Sequence, residues 1–444
     1  MRAFFCERVL KGTLLSFSKS KKRILVTCVF FSTDKSCSHL FHLSPEDVIM
    51  EKPVILSAAR TAIAAFQGAL SPLSSPNLGA SAIKAAIAKA GLTPEAIAEH
   101  NSEVIMGQVL AAGVGQAPAR QAAIYAGIPK SVPAITMNKM CGSGLKAVML
   151  GAQAILTGDA DMVIAGGQES MTNAPYLLPK ARGGYRMGNG EIIDSMMYDG
   201  LTDAYDKGSM GVYGDMCAKE YGFTREAQDE FAINSYKRAQ EAQKNGWFTQ
   251  EIAAVEIADK KGTIVFSADE GPGRAQFDKI PTLKAAFSKD GTVTAANASS
   301  INDGAAALVL ASSAKAAALG AKPIARILSQ ASHAQEPQWF TTAPVGAIKK
   351  ALAKAGLQAS DIDLFEVNEA FAVVPMAVEK DLAVPREKIN IHGGAIALGH
   401  PIGASGARIL TTLIYALQRT GKRTGLATLC IGGGEASAVI IEML

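Results

Sequence analysis

From Met50 on, short apolar runs alternate with Ala-rich stretches whose apolar positions recur every three or four residues. Residues 102–110, 134–137 and 162–165 predict strands, and residues 80–90, 116–126 and 143–156 predict the helices between them. That rhythm predicts a parallel sheet covered on both faces. It then recurs. Residues 82–97 (AIKAAIAKAGLTPEAI) and 347–362 (AIKKALAKAGLQASDI) agree at ten of sixteen positions. Ser143-Gly144-Leu145-Lys146 pairs with Ser405-Gly406-Ala407-Arg408, and Gly166-Gly167-Gln168-Glu169 with Gly432-Gly433-Gly434-Glu435, at a nearly constant offset of about 265 residues. A duplicated α/β domain follows, with equivalent loops of the two halves expected to meet about a pseudo-twofold axis. Between the halves, from Met171 to about Gly291, the chain is rich in Gly, Met, Tyr and Asp and carries one long amphipathic helix over 224–244. This stretch reads as an insertion that covers something.

Composition narrows the class. With 444 residues, 48% apolar, 6% aromatic and 42 Gly, the chain can bury a large core in two or three domains. Disordered, collagenous and coiled-coil classes are excluded, and an α/β enzyme leads. The net charge of +4 has a location: Arg2, Arg8, Lys11, Lys19, Lys21, Lys22, Arg23 and Lys35 outnumber Glu7, Asp34, Glu46 and Asp47 within residues 1–50, and the rest is balanced. The charge is therefore no argument for nucleic-acid binding. Cys141, Cys217 and Cys430 in the body form neither a disulfide framework nor a zinc pair, and a reducing compartment is the natural reading. The apolar run 24–31 is far short of the roughly 20 residues that span a bilayer. Three readings of residues 1–50 stand, all outside the fold: an upstream mis-start with Met50 as initiator, a basic, Ser-containing transit peptide, or a disordered arm. Localisation is cytoplasmic, or mitochondrial if the segment is a transit peptide.

Three segments carry candidate chemistry. Cys141 lies in Asn138-Lys139-Met140-Cys141-Gly142-Ser143-Gly144, where a strand turns into a helix. Two glycines permit a sharp turn and close approach of a ligand. The helix dipole and free backbone N–H groups should lower the thiol pKa and can bind an oxyanion. His400 lies in Gly399-His400-Pro401-Ile402-Gly403-Ala404-Ser405-Gly406, near the repeat counterpart of Cys141, and Cys–His is the usual way to make a thiolate at neutral pH. Cys430, in Cys430-Ile431-Gly432-Gly433-Gly434, follows a strand, where α/β sheets place their chemistry; it offers an acid/base, and Gly432 a free N–H. Asn368, in Asn368-Glu369-Ala370-Phe371, adds an amide at another strand end. Against each stands a structural role, a small buried thiol or a helix cap. Cys217 has no comparable context.

With these motifs in this order, NKMCGSG, NEAF, GHPIGASG and CIGGG, together with NASS and INDGAA, the chain resembles the thiolases from about Pro53 to Leu444. The resemblance implies an α/β fold of duplicated βαβαβαββ domains in five α-β-α-β-α layers. The N-terminal domain would span 51–171 plus about 292–322, the coenzyme A-covering insertion 172–291 and the C-terminal domain 323–444, with 1–50 outside the fold. It implies an acetyl-CoA C-acetyltransferase working through an acetyl-cysteine, with acetyl-CoA, acetoacetyl-CoA and CoA as partners, no metal, no further cofactor, and a homotetramer built as a dimer of dimers. Cys141 would be acylated with His400 as base, and Cys430 would deprotonate the second acetyl-CoA. His400 with a water on Asn368 would form one oxyanion hole, and the N–H groups of Cys141 and Gly432 the other. Ser299, Met210 and Phe371 would contact substrate. Two departures bear on chain length: Ser209 stands where short-chain members carry His, and Ser300 where Gly is common. A broader 3-ketoacyl-CoA thiolase of β-oxidation is the close alternative.

Two rivals come from other classes. Gly142-x-Gly144-x-x-Ala147 with Asp161 fits a dinucleotide fingerprint and hence an NAD-dependent oxidoreductase, but Asp161 precedes a strand instead of ending one. A non-enzymatic scaffold on the same fold is the other.

Overall fold

The computed structural model describes residues 53–260 and 262–444, together with the backbone of four two-residue strands, Leu15–Ser16, Lys19–Ser20, Arg23–Ile24 and Thr27–Cys28. Of these, the first pairs with the last and the second with the third, both antiparallel. The start-site and targeting readings of residues 1–50 otherwise lie outside the described residues.

The body begins with β1 (Pro53–Thr61), α1 (Ser75–Lys89), β2 (Ser102–Gly107), α2 (Pro118–Tyr125), β3 (Ala134–Met137), α3 (Ser143–Thr157) and β4 (Met162–Ser170). The insertion contributes α4 (Met210–Tyr221) and α5 (Arg225–Lys244), after which β5 (Asn302–Ser312) closes the first half. The second half runs β6 (Ala325–Ala334), α6 (Ala343–Ala355), β7 (Leu364–Val367), α7 (Val373–Leu382), α8 (Ser405–Thr420), β8 (Thr424–Ile431) and β9 (Glu435–Met443). Its third strand is reduced to a single parallel bridge, Phe365 with Ile389. The strand order is β3-β2-β4-β5-β1-β6-β9-β8-β7, the halves joining where Val54 and Ile55 pair with Arg326 and Ala325. The sheet is mixed, not all parallel as the rhythm predicts. The crossovers give parallel β2–β3, β2–β4 and β7–β8, but β5 and β9 return antiparallel. β3 is an open edge with Ile135 exposed, of the kind through which a second chain extends a sheet.

Five layers follow from which faces are apolar. In α1, Ala82, Ile83, Ala86 and Ile87 are buried and Lys84 and Lys89 exposed, so one stripe packs with α2 on the outer face of the first half's strands. α6 and α7 cover the second half in the same way. α3 and α8 lie between, sharing one core with inward-facing residues such as Ile105, Leu308, Leu429 and Ile441 from both halves. A central helix must be apolar all round. That is why Met140–Thr157 meets the length and composition of a membrane span while more than half buried inside the protein.

The repeat-equivalent glycines meet where α3 and α8 cross. A Cβ on Gly144 would lie 2.8 Å from the Ala407 nitrogen, and one on Gly406 2.2 Å from the Leu145 nitrogen. The third repeat match does not hold. Gly166 and Gly167 lie inside β4, where a Cβ on Gly166 would come within 2.1 Å of the Ala306 oxygen, whereas Gly432–Gly434 form the turn from β8 to β9. β4 therefore runs past its predicted end, and β2 stops at Gly107. The insertion is pinned to β1 by the buried Arg60, which donates to both oxygens of Asp269 at 2.8 and 2.9 Å and to Glu251 at 2.5 Å.

Candidate active site

Cys141 immediately precedes the first turn of α3. The bend into the helix is made by Met140 in the left-handed region (φ 47°), not by a glycine. Such a conformation in a side-chain-bearing residue costs about 1–2 kcal/mol and persists where neighbours enforce it. Here Ser143 does so: its Oγ accepts from the Lys139 N–H at 2.8 Å and donates to the Met140 carbonyl at 2.7 Å. Gly142 has ordinary helical angles (φ −83°) and is small for another reason, since a Cβ would strike Ile431 Cδ1 at 2.3 Å. The motif glycines thus admit the other half of the protein. Gly142 and Gly144 being so occupied, no space is left for a dinucleotide pyrophosphate at this helix, and the oxidoreductase reading falls.

The expected lowering of the Cys141 pKa is overturned. The thiol keeps some accessible surface, but burial pushes it up to about 11, against hydrogen bonds from the backbone N–H groups of Gly432 and of Cys141 itself, and the Glu169 carboxylate adds to the rise. The free enzyme therefore holds a neutral thiol that faces two N–H donors.

His400 is buried, and its ring is pushed down to about 3 by burial, with Arg408 contributing. The tautomer follows from Ser405. Its hydroxyl donates to the Pro401 carbonyl at 2.9 Å, so its oxygen, 2.6 Å from His400 Nδ1, accepts the ring N–H. Nε2 therefore carries the free lone pair, and it has no partner among the described residues. Asn368 Nδ2 lies 3.5 Å from Nδ1, and its amide oxygen is buried with no partner among the described residues. The His400 backbone N–H donates to Asn302 Oδ1 at 3.0 Å. Asn302, part of INDGAA, thus holds the histidine turn directly, and Ser300 donates to the same oxygen at 2.8 Å.

Glu169 ties the turns together. Its carboxylate accepts from Val109 and Leu110 at 3.0 and 3.1 Å, which ends β2, and from Gly403 in the histidine turn at 2.9 Å. Burial holds it up at about 7, against those three N–H groups. Sequence reasoning missed Asn302, Ser405 and Glu169. Their one signal is polar side chains set in otherwise apolar strands and turns.

The remaining predicted residues converge on the same place. Cys430 is buried, within Coulombic reach of Cys141, and its thiol is pushed well above the ordinary range, chiefly by burial. A Cβ on Gly432 would lie 3.7 Å from Met210 Sδ at the start of α4. Ser299 donates its N–H to the Ala370 carbonyl at 2.9 Å, and Ala298 bridges to Phe371, so NASS and NEAF lie side by side. The Phe371 ring meets Phe287 edge-on at 6.1 Å. Cys217 is buried in the same apolar core as Cys430 and Phe371, within Coulombic reach of Cys430, where burial pushes its thiol up to about 11 against the Thr341 hydroxyl. On the insertion, Arg274 and Lys279 line a cleft with Tyr236, Gln276 and Leu283.

The buried rings give a pH signature. His400 and His392, both held near 3 chiefly by burial, stay neutral in the folded chain, whereas an unfolded chain protonates them near 6.5. Stability therefore falls as pH drops from about 6.5 toward 3. Between about 4.5 and 7, Glu169 acts oppositely, because the folded chain keeps a proton that the unfolded chain has lost. The steep limb is expected below pH 4.5, with a slope up to about 2.7 kcal/mol per pH unit for two rings. Urea midpoints measured across this range check it, and a level profile below pH 4.5 would contradict neutral rings.

The family models "Thiolase, N-terminal domain" and "Thiolase, C-terminal domain" match residues 53–314 and 321–443. An acetyl-CoA acetyltransferase of Cupriavidus necator is 53% identical over 395 residues, covering 88% of this chain and 100% of that protein. One of Escherichia coli is 52% identical over 397 residues, covering 89% and 100%. The crystal structure of the Acat5 thiolase of Ascaris suum in complex with coenzyme A superimposes with a TM-score of 0.83 at 44% identity, covering 89% of this chain and 100% of that one.

Proposed function

The chain belongs to the thiolase family, and on that premise we propose that it is an acetyl-CoA C-acetyltransferase, condensing two acetyl-CoA into acetoacetyl-CoA and CoA, reversibly. The observation that carries the mechanism is that Cys141, facing two backbone N–H groups, packs in one apolar cluster with Ile402 of the histidine turn, whose His400 Nε2 has no partner among the described residues.

The cycle balances from the neutral thiol and the neutral ring. Cys141 attacks the thioester carbonyl and passes its proton to His400 Nε2, while the N–H groups of Cys141 and Gly432 receive the oxyanion. The CoA thiolate leaves and takes the proton of Cys430. Cys430, now a thiolate, removes a proton from the methyl of the second acetyl-CoA. The enolate oxygen is stabilised by the protonated Nε2 of His400 and by a water on the unpartnered Asn368 oxygen. The carbanion attacks the acetyl-cysteine, acetoacetyl-CoA forms, and the expelled Cys141 sulfur recovers its proton from His400. Arg274, which also pairs with Glu270, and Lys279 supply local positive charge for CoA phosphates.

Met210, Phe371 and Phe287, whose ring covers Gly211 at the start of α4, form the wall that limits the acyl chain. Relatives named acetyl-CoA acetyltransferase favour this reading over the broader 3-ketoacyl one despite Ser209. In thiolysis, kcat/KM is expected to be at least about tenfold higher with acetoacetyl-CoA than with the six-carbon homologue, since added methylenes meet that wall. A level profile across chain lengths would refute the narrow specificity.

A further inference from the structure

Glu369, the second residue of NEAF, has no role in the cycle above, yet its buried carboxylate is fully engaged. Oε2 accepts from the Ser235 hydroxyl at 2.6 Å and from the Ile396 N–H at 3.1 Å, and Oε1 accepts from Asn390 Nδ2 at 2.8 Å. Ser235 belongs to α5 of the insertion, and its Oγ also accepts from the Gly394 N–H at 3.0 Å. Asn390 is fixed in its turn, because its amide accepts from the Val367 N–H and donates to the Val367 carbonyl, both at 2.8 Å. Gly393 lies so close to α5 that a Cβ would meet the Ser235 oxygen at 2.4 Å.

The position of this cluster matters. Glu369 is covalently next to Asn368. Ile396 lies in the short helix Ala395–Leu398, which runs directly into Gly399 and His400. Both components of one oxyanion hole are therefore tied to the Glu369 carboxylate, Asn368 through the chain and His400 through the short helix that leads into the turn held by Asn302 and Ser405, whereas Cys141 and Gly432, which form the other, are held by the Ser143 turn and the β8–β9 turn. Resting on the function proposed above, we infer that Glu369 is a positioning residue for the second half-reaction. Through it, α5 of the insertion sets His400 and Asn368 against the enolate oxygen, so the insertion orients chemistry as well as covering the site.

All three partners are donors, so only a carboxylate satisfies them. In Glu369→Gln the amide NH₂ must face an N–H, either of Asn390, whose orientation Val367 fixes, or of Ile396. The test separates the half-reactions on the full chain. Acylation is read as stoichiometric acetyl labelling of Cys141 by acetyl-CoA in a single turnover, and condensation as acetoacetyl-CoA formed when pre-acetylated enzyme meets a second acetyl-CoA. The unsubstituted protein must perform both; if it fails, the proposed function falls and not this inference. For Glu369→Gln, acylation, which uses only the basicity of His400, is expected to fall by no more than about tenfold, and condensation, which uses His400 and Asn368 together, by about 100-fold, the size of losing one oxyanion-hole donor. Ser235→Ala, a milder change, should slow the same step by about tenfold, with Ser235→Thr restoring it. Should Glu369→Gln not fold, the Ser235 pair decides. Equal loss in both half-reactions, or no loss in either, overturns the inference.

Discussion

Cys141→Ala is expected to remain folded, to lose all covalent acetyl labelling, and to lose turnover by a factor on the order of 10⁴ or more, the scale seen when an enzyme loses its nucleophile. The physical ground is that nothing else nearby can take the role. Cys430 is buried with a thiol pushed far up, and the Cys141 sulfur alone faces two backbone donors able to receive the tetrahedral oxygen. Folding should survive because Cys141 keeps some exposed surface and the turn is held by Ser143 and Met140, not by the sulfur. Removing one partly buried sulfur leaves at most a small gap, with a cost near the low end for large-to-small changes, about 1 kcal/mol. Mass spectrometry after acetyl-CoA treatment and a coupled assay in both directions check the result. Retained acetylation at another residue would move the nucleophile elsewhere, and retained turnover would end the covalent mechanism.

Cys430→Ser is expected to divide the cycle. Acylation of Cys141 should persist, because a CoA thiolate leaves readily without an acid, while condensation falls by about 10³-fold, within the range for loss of a general base. A serine hydroxyl at this position is too weakly acidic to become the base that removes a methyl proton. The substitution suits the site sterically, since Cys430 is packed in the apolar core formed with α6 and α7, and oxygen is smaller than sulfur. The enzyme should therefore accumulate as the acetylated form, visible as a stable mass increase of one acetyl group per chain. Loss of acylation together with condensation would contradict the division of labour between the two thiols.

The two thiols also show where sequence reasoning stopped. That Cys141 and Cys430 lie near the ends of sheet strands and His400 in a glycine-rich turn before α8 is readable from pattern and motif, and the repeat placed a histidine turn opposite a cysteine turn. The charge state was not readable. A helix N-terminus argues for a lowered thiol pKa, but the pKa is decided by how much water the fold removes and by Glu169, a residue 28 positions along the chain that the fold brings near the sulfur. The glycines serve packing, not the turn that their spacing predicts. Gly142 and Gly144 are small because Ile431 and Ala407, from the other half, press against them. The false third repeat match has the same origin, since Gly166 in a strand and Gly432 in a turn look alike in one dimension.

Local order along the chain determined most of the elements, the duplication, the inserted segment and the candidate reactive side chains, because periodicity and turn chemistry depend on near neighbours. The tertiary structure alone decided the mixed direction of the sheet, the neutral resting state of Cys141 and His400, and the tautomer set by Ser405. It alone also gave the structural work to Asn302, Glu169 and Glu369. Each of these depends on burial or on a partner far away in sequence, and neither is encoded in local spacing.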